Sequence, residues 1–156
     1  MNLTLSAAQR AVFDASAALA FAFQDEPKHA EAVALVRALA SQNVTLCAPA
    51  LFAYEVDSVI RLRVWKGTLS EAEAATARAI VSALAVEIEY DEGDRARAFQ
   101  IARDYEQPRV YDASYAAHAG ARGLELVTTD KPFFEAVNGT KKPKTAPPLS
   151  FVRLLI

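Results

Sequence analysis

Short β-rich runs alternate with longer helical stretches along this chain, and this alternation constrains its fold more than any other feature. Helix-forming segments separate the first four runs, as is typical of an α/β fold with a mainly parallel central sheet. We therefore expect an α/β protein with a sheet of about five strands flanked by helices. The five predicted strands are residues 11–13, 45–48, 86–90, 124–128 and 149–155.

The helical stretches carry recognisable start and stop signals. Ser70 and Glu73 have the spacing of a capping box, Asp91 is a good helix cap, and Gly123 marks the end of a helix that begins near residue 111. Two acids followed by Pro27 predict another helix, from residue 25 to about residue 40. With 33 alanines in 156 residues and few β-branched residues among them, helix should exceed strand by a wide margin.

The length and composition of the chain predict one domain, and no repeat or internal linker interrupts it. The longest apolar run, residues 17–23, is far shorter than the roughly 20 residues needed to span a bilayer. The first ten residues lack the pattern of a secretory signal. Cys47 is the only cysteine, so no intramolecular disulfide forms. We expect a cytoplasmic protein without membrane association.

The charge of the chain is unevenly distributed. The net charge is −2, which argues against a dedicated duplex-DNA binder. Residues 139–156 contain four basic residues and no acid, which leaves 13 basic against 19 acidic residues in the rest of the chain. Residues 139–148 are rich in Gly, Pro and Lys, so we expect a basic loop after an acidic body.

Four acids follow or precede the predicted strands where ligands bind in α/β proteins. Asp14 ends the first strand, Asp130 follows the fourth, and Asp112 lies in the first turn of the helix before that strand. Glu55 lies on the helix after the second strand, in an otherwise apolar stretch. Because the carboxyl ends of parallel strands meet at one edge, all four can reach one cleft. Crowded carboxylates suit a hard divalent cation such as Mg²⁺ or Mn²⁺.

Two of the four acids also have a purely structural explanation. Asp112 suits the N-terminus of a helix dipole, and Asp130 is a good cap for the short helix that follows it. Glu55 is harder to explain in this way, because a Glu on an apolar helix face needs a partner if it is buried. Asp14 likewise interrupts a run of Ala, Val, Phe and Leu.

Four segments of the chain, in this order and spacing, resemble the PIN-domain ribonucleases, and most closely the VapC-type toxins of prokaryotic toxin–antitoxin pairs. The segments are VFDASAALAFAF, APALFAYEV, YDASYAAHAGARGLELVTTD and KPFF. The resemblance covers about residues 11–137. It implies a single three-layer PIN-like domain over residues 1–156, with residues 1–10 as an N-terminal extension and residues 139–148 as a loop longer than is typical.

The resemblance also implies a function. It predicts a metal-dependent endoribonuclease whose acidic quartet binds Mg²⁺ or Mn²⁺ and carries the catalysis. The family pattern places supporting hydroxyls at Ser16 and Thr128. It further implies an RNA substrate, a small VapB-like antitoxin as partner, and a homodimer. The quartet falls on Asp14, Glu55, Asp112 and Asp130.

Basic residues near the predicted site could guide RNA. Arg61 and Arg63 lie on the same predicted helix as Glu55, and Lys131 follows Asp130 directly. The lysines at positions 141, 142 and 144 form a further cluster. For each of these residues taken singly, a solvated surface is the favoured explanation. Asp57 points about 200° away from Glu55 around the helix, so we exclude it from the site.

Two other functions remain open from the sequence. One is a catalytically silent PIN-like module that binds RNA or protein, against which the intact quartet argues. The other is a phosphatase of the haloacid dehalogenase kind, which also begins with an Asp after its first strand. That chemistry requires a second Asp two residues later, where this chain has Ser16.

Overall fold

Five parallel strands form the central sheet, in the order β3-β2-β1-β4-β5. The computed structural model describes residues 10–156, so the expected N-terminal extension lies outside the described residues except for Arg10. The predicted α/β class and the number of strands are confirmed. The strands are β1 (Arg10–Phe13), β2 (Thr45–Pro49), β3 (Glu87–Glu89), β4 (Leu126–Thr128) and β5 (Val152–Leu154).

Seven helices in residues 10–156 connect and cover these strands, and the expected excess of helix over strand is confirmed. None of them is long and apolar enough to cross a membrane. The helices are α1 (Ala15–Ala22), α2 (His29–Ser41), α3 (Leu51–Trp65), α4 (Glu71–Ala83), α5 (Glu92–Asp104), α6 (Tyr111–Arg122) and α7 (Lys131–Val137).

The predicted caps of three helices are present. The Ser70 hydroxyl accepts from the backbone N–H of Glu73, whose carboxylate accepts in return from the backbone of Ser70. Asp91 caps α5 by accepting from the N–H of Gly93. Gly123 ends α6 in a left-handed conformation, with φ of 63°, which glycine adopts without steric cost.

The predicted start of α2 at residue 25 is wrong, because the helix begins at His29. Asp25 and Glu26 instead form ion pairs with Arg63, at 3.1 Å in the case of Asp25. The guanidinium group also lies over the ring of Phe23, 4.1 Å from its centroid. These contacts with α3 keep residues 25–28 in turns, a tertiary effect that local capping signals do not contain.

β1 lies at the centre of the sheet and is buried on both faces. Val12 packs in a cluster with residues of α3, α4 and α6, whereas its neighbours Ala11 and Phe13 pack in a cluster with α2. This alternation follows from the two-residue period of side chains along a strand. Helices therefore cover both faces, and the three-layer arrangement is confirmed.

A buried polar network joins α5 and α6 to the edge of the sheet. Asp94 accepts a hydrogen bond from Nδ1 of His118 at 3.0 Å and one from Arg122 at 2.8 Å. His118 is fully buried, and Arg122 also donates to Glu89 of β3 at 3.0 Å. Glu89 in turn pairs with Arg10 of β1. Burial lowers the pKa of His118, which favours the neutral imidazole.

We predict that Asp94→Asn lowers the free energy of unfolding by about 2 kcal/mol, because it weakens the charge-assisted hydrogen bonds that Asp94 accepts from His118 and Arg122. The matched control is Asp57→Asn, which removes a well-formed but exposed ion pair with Arg78 (2.8 Å). That change should cost less than about 1 kcal/mol. Urea denaturation measures both values, and equal losses in the two variants would contradict the structural role of the network.

Candidate active site

All four predicted acids line one cavity of about 490 Å³. Asp14 lies between β1 and α1, and Asp130 lies between β4 and α7. Glu55 reaches the cavity from α3, and Asp112 reaches it from the first turn of α6. The parallel sheet brings these elements to one edge because β1 and β4 are neighbours whose carboxyl ends coincide.

Asp14 is held firmly at the floor of the cavity. Its Oδ1 accepts hydrogen bonds from the Ser16 hydroxyl at 2.7 Å and from the Ala17 backbone N–H at 2.8 Å, so it also caps α1. Only 6% of the residue is exposed. Burial raises the pKa of Asp14 to about 6, against the opposing effect of hydrogen bonds from Thr128, Ser16 and Ala17.

The two predicted supporting hydroxyls connect the loops that carry Asp14 and Asp130. The Ser16 hydroxyl accepts from the backbone N–H of Thr129 at 2.9 Å, and the Thr128 hydroxyl accepts from the N–H of Asp130 at 2.9 Å. Their two oxygens are 3.5 Å apart. These bonds fix the separation of the two carboxylate-bearing loops without using the carboxylate of Asp130.

Asp130 is both a cap and a lining residue. One of its carboxylate oxygens, Oδ1, accepts from the backbone N–H of Phe133 at 2.8 Å, the usual contact of a helix cap. Asp130 therefore caps α7, as its structural explanation predicts. The side chain still lines the cavity, so capping orients the carboxylate beside the other acids.

The pKa of Asp112 is raised in part by other acids of the cavity. Burial, and then the negative charges of Asp130 and Glu55, raise its pKa to about 6. Arg109 opposes this shift. Asp112, Asp130 and Glu55 therefore lie close enough to interact electrostatically, as is expected of acids that act together rather than as isolated caps.

Glu55 has a partner that sequence reasoning missed. The hydroxyl of Tyr115 donates a hydrogen bond to Oε2 of Glu55. Burial raises the pKa of Glu55, and the hydrogen bond opposes this. Burial, and then the bond to Glu55, raise the pKa of Tyr115 as well, so the phenol stays a donor. Tyr115 lies one turn after Asp112 on α6, a spacing that could have identified it.

The carboxylates surround the cavity but do not converge on a point. Within residues 10–156, no group of three Asp, Glu, His or Cys side chains is arranged closely enough to bind one ion as placed. Among these described residues, no hydrogen bond reaches Oε1 of Glu55 or Oδ2 of Asp130. Coordination of one cation by all four acids would therefore require some of their side chains to rotate. The ligands that the four acids offer are all carboxylate oxygens.

The predicted RNA-guiding residues lie outside the cavity lining. Arg61 forms an exposed ion pair with Glu71 at 3.2 Å, and Arg63 is engaged by Asp25 and Glu26. Lys131 begins α7 directly after Asp130 and is exposed. Of these three, Lys131 is therefore nearest in sequence to a carboxylate of the site. Asp57 pairs with Arg78 and does not line the cavity, in agreement with its exclusion.

The fold and the cavity together define a class of protein: an α/β domain with a parallel sheet and four carboxylates at its carboxyl edge. A sequence model of the PIN domain matches residues 11–139. The chain therefore belongs to the PIN domain family, and the family identified from the four sequence segments is confirmed. No curated protein sequence matches the chain.

Solved structures show the same fold. PAE2754 from Pyrobaculum aerophilum is 23% identical, with a TM-score of 0.63 over 88% of this chain and 85% of that one. VapC20 of Mycobacterium tuberculosis, described as a toxin that cleaves the sarcin–ricin loop, is 18% identical. Its TM-score is 0.59, over 78% of this chain and 91% of that one.

We predict that removing the Asp112 charge stabilises the metal-free protein at neutral pH. The pKa of Asp112 in the folded state, about 6, exceeds its ordinary value of 3.8, so the folded state binds more protons between these values. Stability contributed by the protonated group is complete below pH 4 and is lost as pH rises through 6. In EDTA at pH 7.5, Asp112→Asn should gain on the order of 1 kcal/mol over wild type.

Urea denaturation between pH 4 and pH 8 measures this difference, which should shrink towards pH 4. A loss of stability in Asp112→Asn at pH 7.5 would mean that Asp112 serves mainly as a favourable charge at the N-terminus of α6.

Proposed function

We propose that this chain is a Mg²⁺- or Mn²⁺-dependent endoribonuclease and the toxin of a toxin–antitoxin pair. The observation that carries the proposal is the placement of Asp14, Glu55, Asp112 and Asp130 around one cavity, with Asp112 coupled electrostatically to its neighbours. Four carboxylates in a partly desolvated cavity repel one another, and this costs stability unless a cation binds. Membership of the PIN domain family supports the same chemistry.

The donor set fits a hard divalent cation. All four side chains offer carboxylate oxygens, and within residues 10–156 neither His nor Cys lines the cavity. We propose that Asp14, Asp112 and Asp130 bind the ion directly or through water, and that Glu55 either binds it or orients the attacking water. The chemistry that such an ion supplies is activation of water and stabilisation of negative charge on the phosphodiester.

The protein residues then divide the remaining work. Ser16 and the N–H of Ala17 fix Asp14, and Thr128 fixes the turn that carries Asp130. These bonds hold the carboxylates in place before substrate binds, which lowers the reorganisation needed during the reaction. Hydrolysis joins the water oxygen to phosphorus and releases one RNA oxygen as the leaving group, so no protein nucleophile is required.

RNA is the substrate class that the observations support best. A structural relative, VapC20, is described as cleaving the sarcin–ricin loop, an observation that belongs to that protein and supports the proposal here. Lys131 lies beside Asp130 and is exposed, so it is the first candidate for contact with the phosphate backbone. Arg61 and Arg63 are weaker candidates, because each is already paired with acids. The lysines at 141, 142 and 144 are also weaker candidates, since they lie further along the sequence from the acids of the cavity.

A small VapB-like antitoxin is the proposed partner. A cavity rich in carboxylates attracts an Arg side chain, whose guanidinium pairs bidentately with a carboxylate and competes with a metal ion. The homodimer implied by the resemblance stays a prediction, which sedimentation of the pure chain would test.

We predict that Asp14→Asn and Asp112→Asn lower RNA cleavage by about 100-fold or more while leaving the protein folded. Asp57→Asn, which changes a carboxylate on α3 outside the cavity, should cleave like wild type. The assay incubates a structured RNA pool with Mg²⁺ or Mn²⁺ and, in parallel, with EDTA. Equal cleavage by wild type in EDTA would refute the metal-dependent mechanism.

Expression of the chain alone should arrest growth, and the Asp14→Asn variant should not. Co-expression of a small protein encoded directly upstream should relieve the arrest. Growth curves, together with gels that verify soluble protein, test both statements. Absence of arrest with soluble wild-type protein, combined with RNA binding but no cleavage, would favour a catalytically silent PIN-like module.

A further inference from the structure

Tyr115 connects the interior of the protein to the acidic cavity. Tyr115 is 1% exposed and belongs to the same core cluster as Phe52 and Val56 of α3. Its hydroxyl nevertheless reaches Oε2 of Glu55, and Tyr115 itself lines the cavity. The side chain thus has a rigid apolar body and a polar tip aimed at one acid of the site.

The carboxylate of Glu55 is held by a single contact, and that contact comes from a side chain of another helix. Asp14 accepts from a hydroxyl and a backbone N–H, and Asp130 accepts from a backbone N–H. Within the described residues, the hydroxyl of Tyr115 is the only hydrogen-bond donor to the carboxylate of Glu55. A glutamate side chain has more rotatable bonds than an aspartate, so an unrestrained Glu55 would lose more conformational entropy on binding a ligand.

The placement of the donor is also specific. Tyr115 lies on α6, one turn after Asp112, whereas Glu55 lies on α3, and 60 positions separate Tyr115 from Glu55 in the sequence. The hydrogen bond therefore fixes a carboxylate from α3 relative to the helix that carries Asp112. Because it occupies Oε2, it leaves Oε1 facing no donor among the described residues.

We infer that Tyr115 is a positioning residue, whose hydroxyl holds Oε2 of Glu55 so that Oε1 is available to the divalent cation or the attacking water. This inference rests on the proposed function. Tyr115 does not contact the reacting atoms and takes no part in proton transfer. Outer residues that orient a metal ligand in this way raise metal affinity because the ligand is arranged before the ion arrives.

A double-mutant cycle tests the inference with Mn²⁺ alone as the probe. Tyr115→Phe removes only the hydroxyl, and Glu55→Gln removes the charge that the hydroxyl is proposed to position. The control is Tyr105→Phe, because Tyr105 is also buried, at 5% exposed, and donates to the backbone oxygen of Pro147, outside the cavity. Electron paramagnetic resonance of free Mn²⁺ gives the affinity, and melting in EDTA verifies that each variant is folded.

We expect Tyr115→Phe to weaken Mn²⁺ binding by about 10-fold in the wild-type background and to have little further effect in the Glu55→Gln background. Tyr105→Phe should bind Mn²⁺ like wild type. RNA cleavage at saturating Mn²⁺ should fall less in Tyr115→Phe than in Glu55→Gln, because the ligand itself remains.

Two results would overturn the inference while leaving the proposed function intact. The first is a Tyr115→Phe variant with unchanged Mn²⁺ affinity when Glu55→Gln weakens Mn²⁺ binding. The second is a Tyr115→Phe change that lowers Mn²⁺ affinity equally in the wild-type and Glu55→Gln backgrounds, which would identify a purely structural bond. A different result would overturn the proposed role of Glu55 and this inference with it: Glu55→Gln that binds Mn²⁺ and cleaves RNA like wild type.

Discussion

The parallel pairing of β1 with β4 is the contact on which the site depends. Val12 and Phe13 lie opposite Leu126 and Val127, and the backbone N–H of Asp14 continues the ladder by donating to Val127 at 3.2 Å. The last ladder bond thus belongs to a site residue. Beyond these strands the backbone continues from β1 into α1 and from β4 into α7, and Asp14 and Asp130 cap these two helices. Because the same carboxylates cap the helices and line the cavity, the ends of the strands, the starts of the helices and the spacing of the acids are set together.

The use of the same carboxylates as helix caps and as lining of the cavity has an electrostatic cost. Burial raises the pKa of Asp14 and Asp112 to about 6, which means that the fold holds both carboxylates where ionisation is unfavourable. Hydrogen bonds offset part of the cost at Asp14 but do not remove it. By contrast, the buried acid Asp94 has cationic and imidazole donors, and these outweigh its burial and lower its pKa. The protein therefore compensates the charge of the structural acid Asp94 and leaves Asp14 and Asp112 undercompensated, the pattern expected where a cation supplies the missing charge.

The sequence predicted the strands, the sheet and the positions of the four acids because each depends on local signals or on the geometry common to parallel sheets. The start of α2 could not be predicted in this way, since Asp25 and Glu26 bind Arg63 of a distant helix instead of capping their own. The partner of Glu55 was missed for a related reason. Helical spacing places Tyr115 on the same face as Asp112, but its contact with Glu55 depends on how α3 and α6 pack. Local pattern thus found the chemical groups, whereas the bonds that orient them come from tertiary structure.

On the proposed function, the charge distribution would give the divalent cation a second role, in substrate binding. The four carboxylates of the cavity repel an approaching RNA phosphate. Few basic residues lie close in sequence to these four acids. Arg63 is already paired with two acids, so it contributes little positive potential. On the proposed function, affinity for the scissile phosphate therefore depends on neutralisation of the cavity. Protons compete for the same carboxylates near pH 6, since Asp14 and Asp112 titrate there. Residues such as Tyr115 that arrange a carboxylate before the ion arrives would then favour substrate binding as well as catalysis, because both require an occupied site.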